Sequence, residues 1–171
     1  QKLAGLESRN QAKTFIYALL YGAGDAKLGS VAGGSRSVGK RLRKSFFDNL
    51  PAFKALKNNV AREATRGFVK GLDGRKVFVR SEHAALNSLL QSAGSLVMKK
   101  AVILFNAKLK GIAADFVMNV HDEWQVETDT EQAALVGQLG IESIIEAGVA
   151  FNLNCPLDGE YNVGNNWSET H

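Results

Sequence analysis

Residues 9–24 read RNQAKTFIYALLYGAG and carry two patterns at once. Ala12, Phe15, Ile16 and Leu19 recur at the spacing of an amphipathic helix, whose apolar stripe needs a core to bury against. Arg9, Lys13, Tyr17 and Tyr21 recur every four residues, and at about 100° per residue they fall within about 120° of arc, away from that stripe. One helix thus has a core face and a second face of two cations and two phenols. The spacing predicts a helix from about Gln1 to Tyr21, followed by a glycine-rich turn through Gly34.

Outward from that segment, SRSVGKRLRKSFFDNL reads as a basic helix closed by Pro51, and AFKALKNNVAREATR as the next helix. GFVKGLDGRKVFVRS reads as a hairpin turning at Asp73-Gly74, and a long helix follows from about Glu82 to Leu109. DFVMNVHDEWQVET predicts a second hairpin, and residues 131–148 a last helix. The expected fold class is α+β: a mainly helical part over residues 1–75, then a part with β-hairpins and long helices over 76–171.

At 171 residues, with 45% hydrophobic and 22% charged side chains, the chain has the composition of a soluble globular protein able to bury a core. The single Cys155 excludes an internal disulfide and sits in no metal-ligand spacing. Neither a run of about 18 apolar residues nor a signal-peptide pattern is seen, so the expectation is a cytoplasmic protein with no membrane partner. The net charge of +4 conceals an asymmetry. Residues 1–80 hold 17 Lys and Arg against 5 Asp and Glu, whereas residues 81–171 hold 4 against 12. A basic first half suits a polyanion, while carboxylates gathered in the second half would repel phosphate unless cations lie between. A solvated surface with a chance bias is the plainer alternative.

In the second hairpin, Phe116, Met118 and Val120 alternate before VHDE, and Trp124 and Val126 alternate after it, which places His121 and Asp122 at or near the turn. A tight turn can present Asp122 and Glu123 at one end of a sheet beside backbone carbonyls, an arrangement suited to a hard cation such as Mg²⁺. Aspartate is also commonplace in hairpin turns, and one dependable carboxylate rarely holds Mg²⁺ without phosphate or another acid. On the long helix His83, Asn87 and Gln91 stand at i, i+4 and i+8. Amide donors in such a row can test base-pair geometry through minor-groove acceptors present in every pair, or they can simply be the wet face of a half-buried helix.

Two other motifs lead nowhere. Gly34–Arg41, GSRSVGKR, satisfies GxxxxGK, but Arg41 stands where Ser or Thr should hold Mg²⁺ and no hydrophobic strand precedes it. His83 and His121 have no nucleophile at suggestive spacing, so a catalytic triad is unsupported.

Together these residues resemble the C-terminal part of a family A DNA polymerase, the group that includes bacterial DNA polymerase I and short-tailed phage replicases. Arg9-x3-Lys13-x3-Tyr17-x3-Tyr21-Gly22 is similar to that family's fingers-helix motif, and Val120-His121-Asp122-Glu123 to its palm motif. GLDGRKVFVRSEHAALNSLLQSAG is especially similar to the phage replicases, and GNNWSETH resembles their chain end. The resemblance covers nearly the whole chain and implies a partial right-hand fold, fingers first and part of the palm after.

It further implies that Arg9 and Lys13 hold the triphosphate of an incoming nucleotide and that Lys13 takes part in catalysis. Tyr17 would stack by the sugar and base, in the form that tolerates nucleotides lacking a 3′-hydroxyl, and Tyr21 would pack by the templating base. His83, Asn87, Gln91 and His121 would contact primer-template DNA, although the family often has Arg where His83 stands. Asp122 would be one of two aspartates holding a pair of Mg²⁺ ions, with Glu123 in a supporting catalytic role. The other aspartate belongs to a first motif with a DxSxxEL pattern that residues 1–171 do not contain. The expectation is therefore a chain inactive alone, partnered by the N-terminal remainder of the polymerase in cis or in trans; Gln1 in place of Met mildly favours a trimmed piece. The resemblance also admits a processivity factor as a partner. Two competing readings are a non-catalytic DNA-binding remnant and a small metal-dependent nuclease using Asp122 and Glu123.

Overall fold

The computed structural model describes residues 8–171, so the part of the predicted first helix on residues 1–7 lies outside the described residues. The chain divides into two compact units, Gln1–Ser92 and Ala93–His171, and is mostly helical with two small β-hairpins.

In the first unit, α1 (Arg9–Leu20) starts at Ser8, whose hydroxyl accepts the Gln11 amide proton at 3.1 Å. It buries Ala12, Phe15 and Leu19, while Ile16, assigned by spacing to the same stripe, lies at the stripe's exposed margin. The expected glycine-rich turn instead contains a short helix, α2 (Asp25–Val31), packed on α3 (Arg36–Asn49). Two glycines make that crossing possible. A Cβ on Gly29 would lie 2.0 Å from the Ser35 carbonyl oxygen, and one on Gly39 would lie 2.0 Å from that of Asp25. Backbone meets backbone, and Leu28 and Phe15 are fully buried in the same core, which offsets the roughly 1 kcal/mol that each helical glycine costs. The GxxxxGK string therefore includes a helix-packing glycine preceded by a helix, in keeping with its rejection as a phosphate loop.

Pro51 opens α4 (Pro51–Ala64) at the first helical position, where its missing N–H is no loss. Strands β1 (Phe68–Lys70) and β2 (Lys76–Phe78) pair antiparallel around Asp73 and Gly74. Val69 is buried with Val60, Ala64, Ala85 and Leu86 in this unit's second core cluster. Ala85 and Leu86 belong to α5 (Glu82–Lys108), whose later part falls in the second unit.

In the second unit, β3 (Ala114–Val120) and β4 (Glu123–Thr128) form the predicted hairpin. Helix α6 (Ala133–Ala150) follows, and the short α7 (Trp167–Thr170), not foreseen in the sequence, comes last. Phe105, Phe116 and Trp124 pack together, with the Phe105 and Trp124 rings stacked at 5.3 Å. The predicted strand alternation needs one correction. Phe116 pairs with Val126 but Met118 with Gln125, so Val117 is an extra residue in β3. The bulge leaves Phe116 on the aromatic face and turns Met118 and Val120 to the other face, with Gln125 and Glu123.

Among the described residues two helical stretches, Glu82–Lys108 and Thr130–Ala150, are long and apolar enough to cross a membrane by length and composition. Polar residues such as Gln91 and Lys99 in the one and Gln138 and Glu142 in the other interrupt both, so neither is a continuous apolar run. Both supply buried core side chains here, among them Val97, Ala101 and Phe105 from α5 and Val136 and Ala147 from α6.

Candidate active site

The first unit carries the cationic and aromatic face of α1. Arg9, Lys13, Tyr17 and Tyr21 are all exposed, Tyr17 at 49% and Tyr21 at 58%, on the side away from Phe15 and Leu19. The Lys13 ammonium lies 5.9 Å from the centre of the Tyr17 ring, within range of cation–π attraction. Among the described residues neither Arg9 nor Lys13 forms an ion pair, so both charges are free to meet an anion. At the end of α1 the chain bends at Gly22, whose φ of +79° suits glycine and where a Cβ would be 3.0 Å from the His83 carbonyl oxygen.

That bend brings α1 beside the start of α5. The Gln91 amide donates to the Tyr21 hydroxyl at 3.2 Å, joining residues seventy positions apart. On the same helix His83 is exposed and Asn87 half-buried. The two stripes read separately from sequence thus share a direct contact, between Tyr21 and Gln91.

The second unit carries the hairpin tip. Val120 pairs with Glu123, leaving a two-residue turn of His121 and Asp122, with His121 at φ +52° in the left-handed region. His121 and Asp122 are both exposed, and among the described residues the Asp122 carboxylate has no hydrogen bond or ion pair. The neighbouring Glu123 is the opposite case. Its Oε1 accepts from Gln125 Nε2 at 2.6 Å and Trp167 Nε1 at 2.8 Å, and its Oε2 from His171 Nδ1 at 2.8 Å. These donors, His171 foremost, hold the Glu123 carboxyl below its ordinary range by stabilising the anion. Trp167 and His171 lie in the GNNWSETH stretch, but sequence alone gives neither of them a role, because a contact spanning 44 to 48 positions leaves no periodic signal.

As a divalent cation site the tip fits in part. Asp122 offers one free carboxylate, Glu123 has both oxygens engaged, and among the described residues no cluster of three or more His, Cys, Asp or Glu is placed to hold a metal. Mg²⁺ demands near-octahedral oxygen coordination, so Asp122 would be one ligand among several from elsewhere.

Residues 3–169 match the family model of DNA polymerase family A. The chain belongs to that family. Family A polymerases use Mg²⁺. The DNA-directed DNA polymerase of Enterobacteria phage T3 is 42% identical over 195 residues, and that of Escherichia phage T7 is 42% identical over 198. Each comparison takes in the whole of this chain but 28% of the relative. DNA polymerase I of Aquifex aeolicus is 35% identical, over 95% of this chain and 30% of that protein. The chain therefore spans about three-tenths of the curated relatives it matches. Among solved structures, the polymerase domain of Pol1 from M. smegmatis, in complex with DNA primer-template and dNTP, superposes with a TM-score of 0.74. At 23% identity over 81% of this chain and 27% of that one, the match supports the family A polymerase fold.

Proposed function

We propose that this chain is the nucleotide-binding and part-catalytic portion of a DNA-directed DNA polymerase, completed by an N-terminal remainder. The observation that carries the reading is the α1 face: two exposed cations one turn apart and two exposed phenols, in a chain belonging to family A. Arg9 and Lys13 bind the triphosphate through charge-assisted hydrogen bonds and neutralise charge developing there during phosphoryl transfer. Tyr17 and Tyr21 present flat rings to the nascent base pair, and His83, Asn87, Gln91 and His121 contact primer-template DNA. The fingers-like part runs over residues 1–75 and the palm-like part over 76–171. Asp122 supplies one of the carboxylates that hold Mg²⁺, and Glu123 supports it. When bound, Mg²⁺ activates the primer 3′-hydroxyl and stabilises charge on the leaving pyrophosphate. The setting would be a cytoplasm, that of the host if a phage encodes the protein, with a processivity factor as a further partner.

The test is primer extension in Mg²⁺ by this chain alone and together with the remainder that its relatives carry. Extension should need both parts, and dNTP affinity should fall about 10- to 100-fold in Arg9→Ala and Lys13→Ala, as the loss of a charged hydrogen bond predicts. Robust extension by residues 1–171 alone would overturn the requirement for a second carboxylate. The charge asymmetry favours one other reading, a DNA-binding remnant without chemistry. In that case DNA binds, but triphosphate affinity is indifferent to both substitutions.

A further inference from the structure

The hairpin is tied to a distant part of the chain at two residues of β4, Glu123 and Gln125. Glu123 accepts three hydrogen bonds, two of them from Trp167 and His171, and the Thr170 hydroxyl donates to Gln125 Oε1 at 3.0 Å. The indole and imidazole rings meet edge to face at 5.4 Å. Helix α7 is itself fixed, since the Glu169 carboxylate accepts from the Asn165 amide at 2.8 Å and the Asn166 side chain at 2.7 Å.

The segment leading to α7 is pinned along α6 at positions where α6 or the segment lacks a side chain. The Leu157 side chain would be 2.9 Å from a Cβ on Gly148, and the Tyr161 ring 2.4 Å from one on Gly137. A Cβ on Gly159 would be 3.0 Å from Ile144. Each contact closes over bare backbone, so the segment has a built seat on α6.

We propose that residues 157–171 form a strap that positions the catalytic hairpin tip, with Trp167 and His171 acting as positioning residues through Glu123. The proposal rests on the reading of Asp122 as a metal-holding carboxylate. Its physical content is a division of labour between adjacent acids. Glu123 has both oxygens committed to donors and so fixes the first residue of β4. Asp122, one bond before it in a turn with a left-handed residue, is left as the free carboxylate at a defined place. Partners of this kind, which orient a ligand from behind, typically change activity 10- to 100-fold when removed.

The experiment uses the complete polymerase carrying Trp167→Phe, His171→Ala or His171→Asn. Trp167→Phe keeps a ring but loses the N–H, and asparagine keeps a donor near the place of Nδ1. The expected result is a roughly 10-fold fall in kcat for Trp167→Phe and His171→Ala, with dNTP KM and Tm nearly unchanged and the Mg²⁺ requirement raised. His171→Asn should recover much of the loss. As a readout independent of turnover, Glu123→Gln should shift the Trp167 indole N–H resonance. Unchanged kcat in Trp167→Phe and His171→Ala, or a fall that merely follows Tm, would overturn the proposal. Asp122→Asn serves as the reference. If it retains full activity, the functional reading itself fails; if it is inactive while the strap variants are normal, the strap alone is refuted.

Discussion

Gln91 donates a hydrogen bond to the Tyr21 hydroxyl at 3.2 Å, so the last residue of the aromatic face of α1 and the last amide of the α5 row hold one another. Gln91 cannot offer the same proton to a DNA acceptor while it does so. A double-mutant cycle of Tyr21→Phe and Gln91→Ala, followed by denaturant unfolding, should give a coupling of about 0.5 kcal/mol, the low end for an exposed hydrogen bond. Tyr21→Phe should also tighten primer-template binding about twofold by releasing the amide. Strict additivity in the cycle would show that the contact contributes nothing.

Gly39, like Gly29, is a position with no room for a side chain. Its Cβ would meet the Asp25 carbonyl at 2.0 Å and the Gly29 nitrogen at 2.5 Å, and backbone cannot step aside as a flexible side chain can. Gly39→Ala should cost about 2–3 kcal/mol. Gly94→Ala, in α5 with open space around it, should instead stabilise by up to about 1 kcal/mol. Thermal or chemical unfolding of the two variants checks the contrast.

His121 has a backbone that L-residues adopt at a cost of roughly 1–2 kcal/mol. His121→Gly should therefore leave stability unchanged or raise it by up to about 1 kcal/mol, while His121→Val lowers it by about 1–2 kcal/mol. If His121 contacts the primer end, the glycine variant loses extension activity while keeping stability. Measuring both on one preparation separates fold from chemistry.

Stability should fall off at both ends of the pH scale for identifiable reasons. Lys108 bridges Glu146 at 2.9 Å and Glu142 at 3.1 Å, and these hydrogen bonds raise its pKa. A raised folded value stabilises the protein below the ordinary lysine value of 10.5, and the gain disappears as pH rises through the folded value. Glu169 is lowered by the Asn165 amide and the Asn166 side chain, so its contribution holds above 4.5 and is lost as pH falls through the folded value. Lys108→Met should flatten the alkaline limb of a stability–pH profile and Glu169→Gln the acid limb. Because both sites are partly exposed, salt should weaken the Lys108 effect.

Much of this was legible in local pattern. Periodicity located α1, α3, α4, α5 and α6 to within a few residues among those described, and turn chemistry located both hairpins. The spacing of Arg9, Lys13, Tyr17 and Tyr21 marked a distinct exposed face. Features set by tertiary contact were not legible. Helix α2 forms in a glycine-rich stretch because Gly29 within it and Gly39 in α3 permit backbone contact, which local propensity cannot anticipate. Nothing local marks Val117 as an extra residue, so the alternation of Phe116, Met118 and Val120 does not reveal that the last two leave the face of the first. The ties from Trp167 and His171 to Glu123 cross more than forty positions.

Val117 decides more than the course of one strand. With the turn held at His121 and Asp122, taking Val117 into the pairing opposite Val126 would move Phe116 opposite Glu127, turning its ring away from Trp124 and Phe105. The bulge thus works as a rotation setting: with Val117 paired rather than passed over, the aromatic cluster and the acidic end could no longer both face their partners.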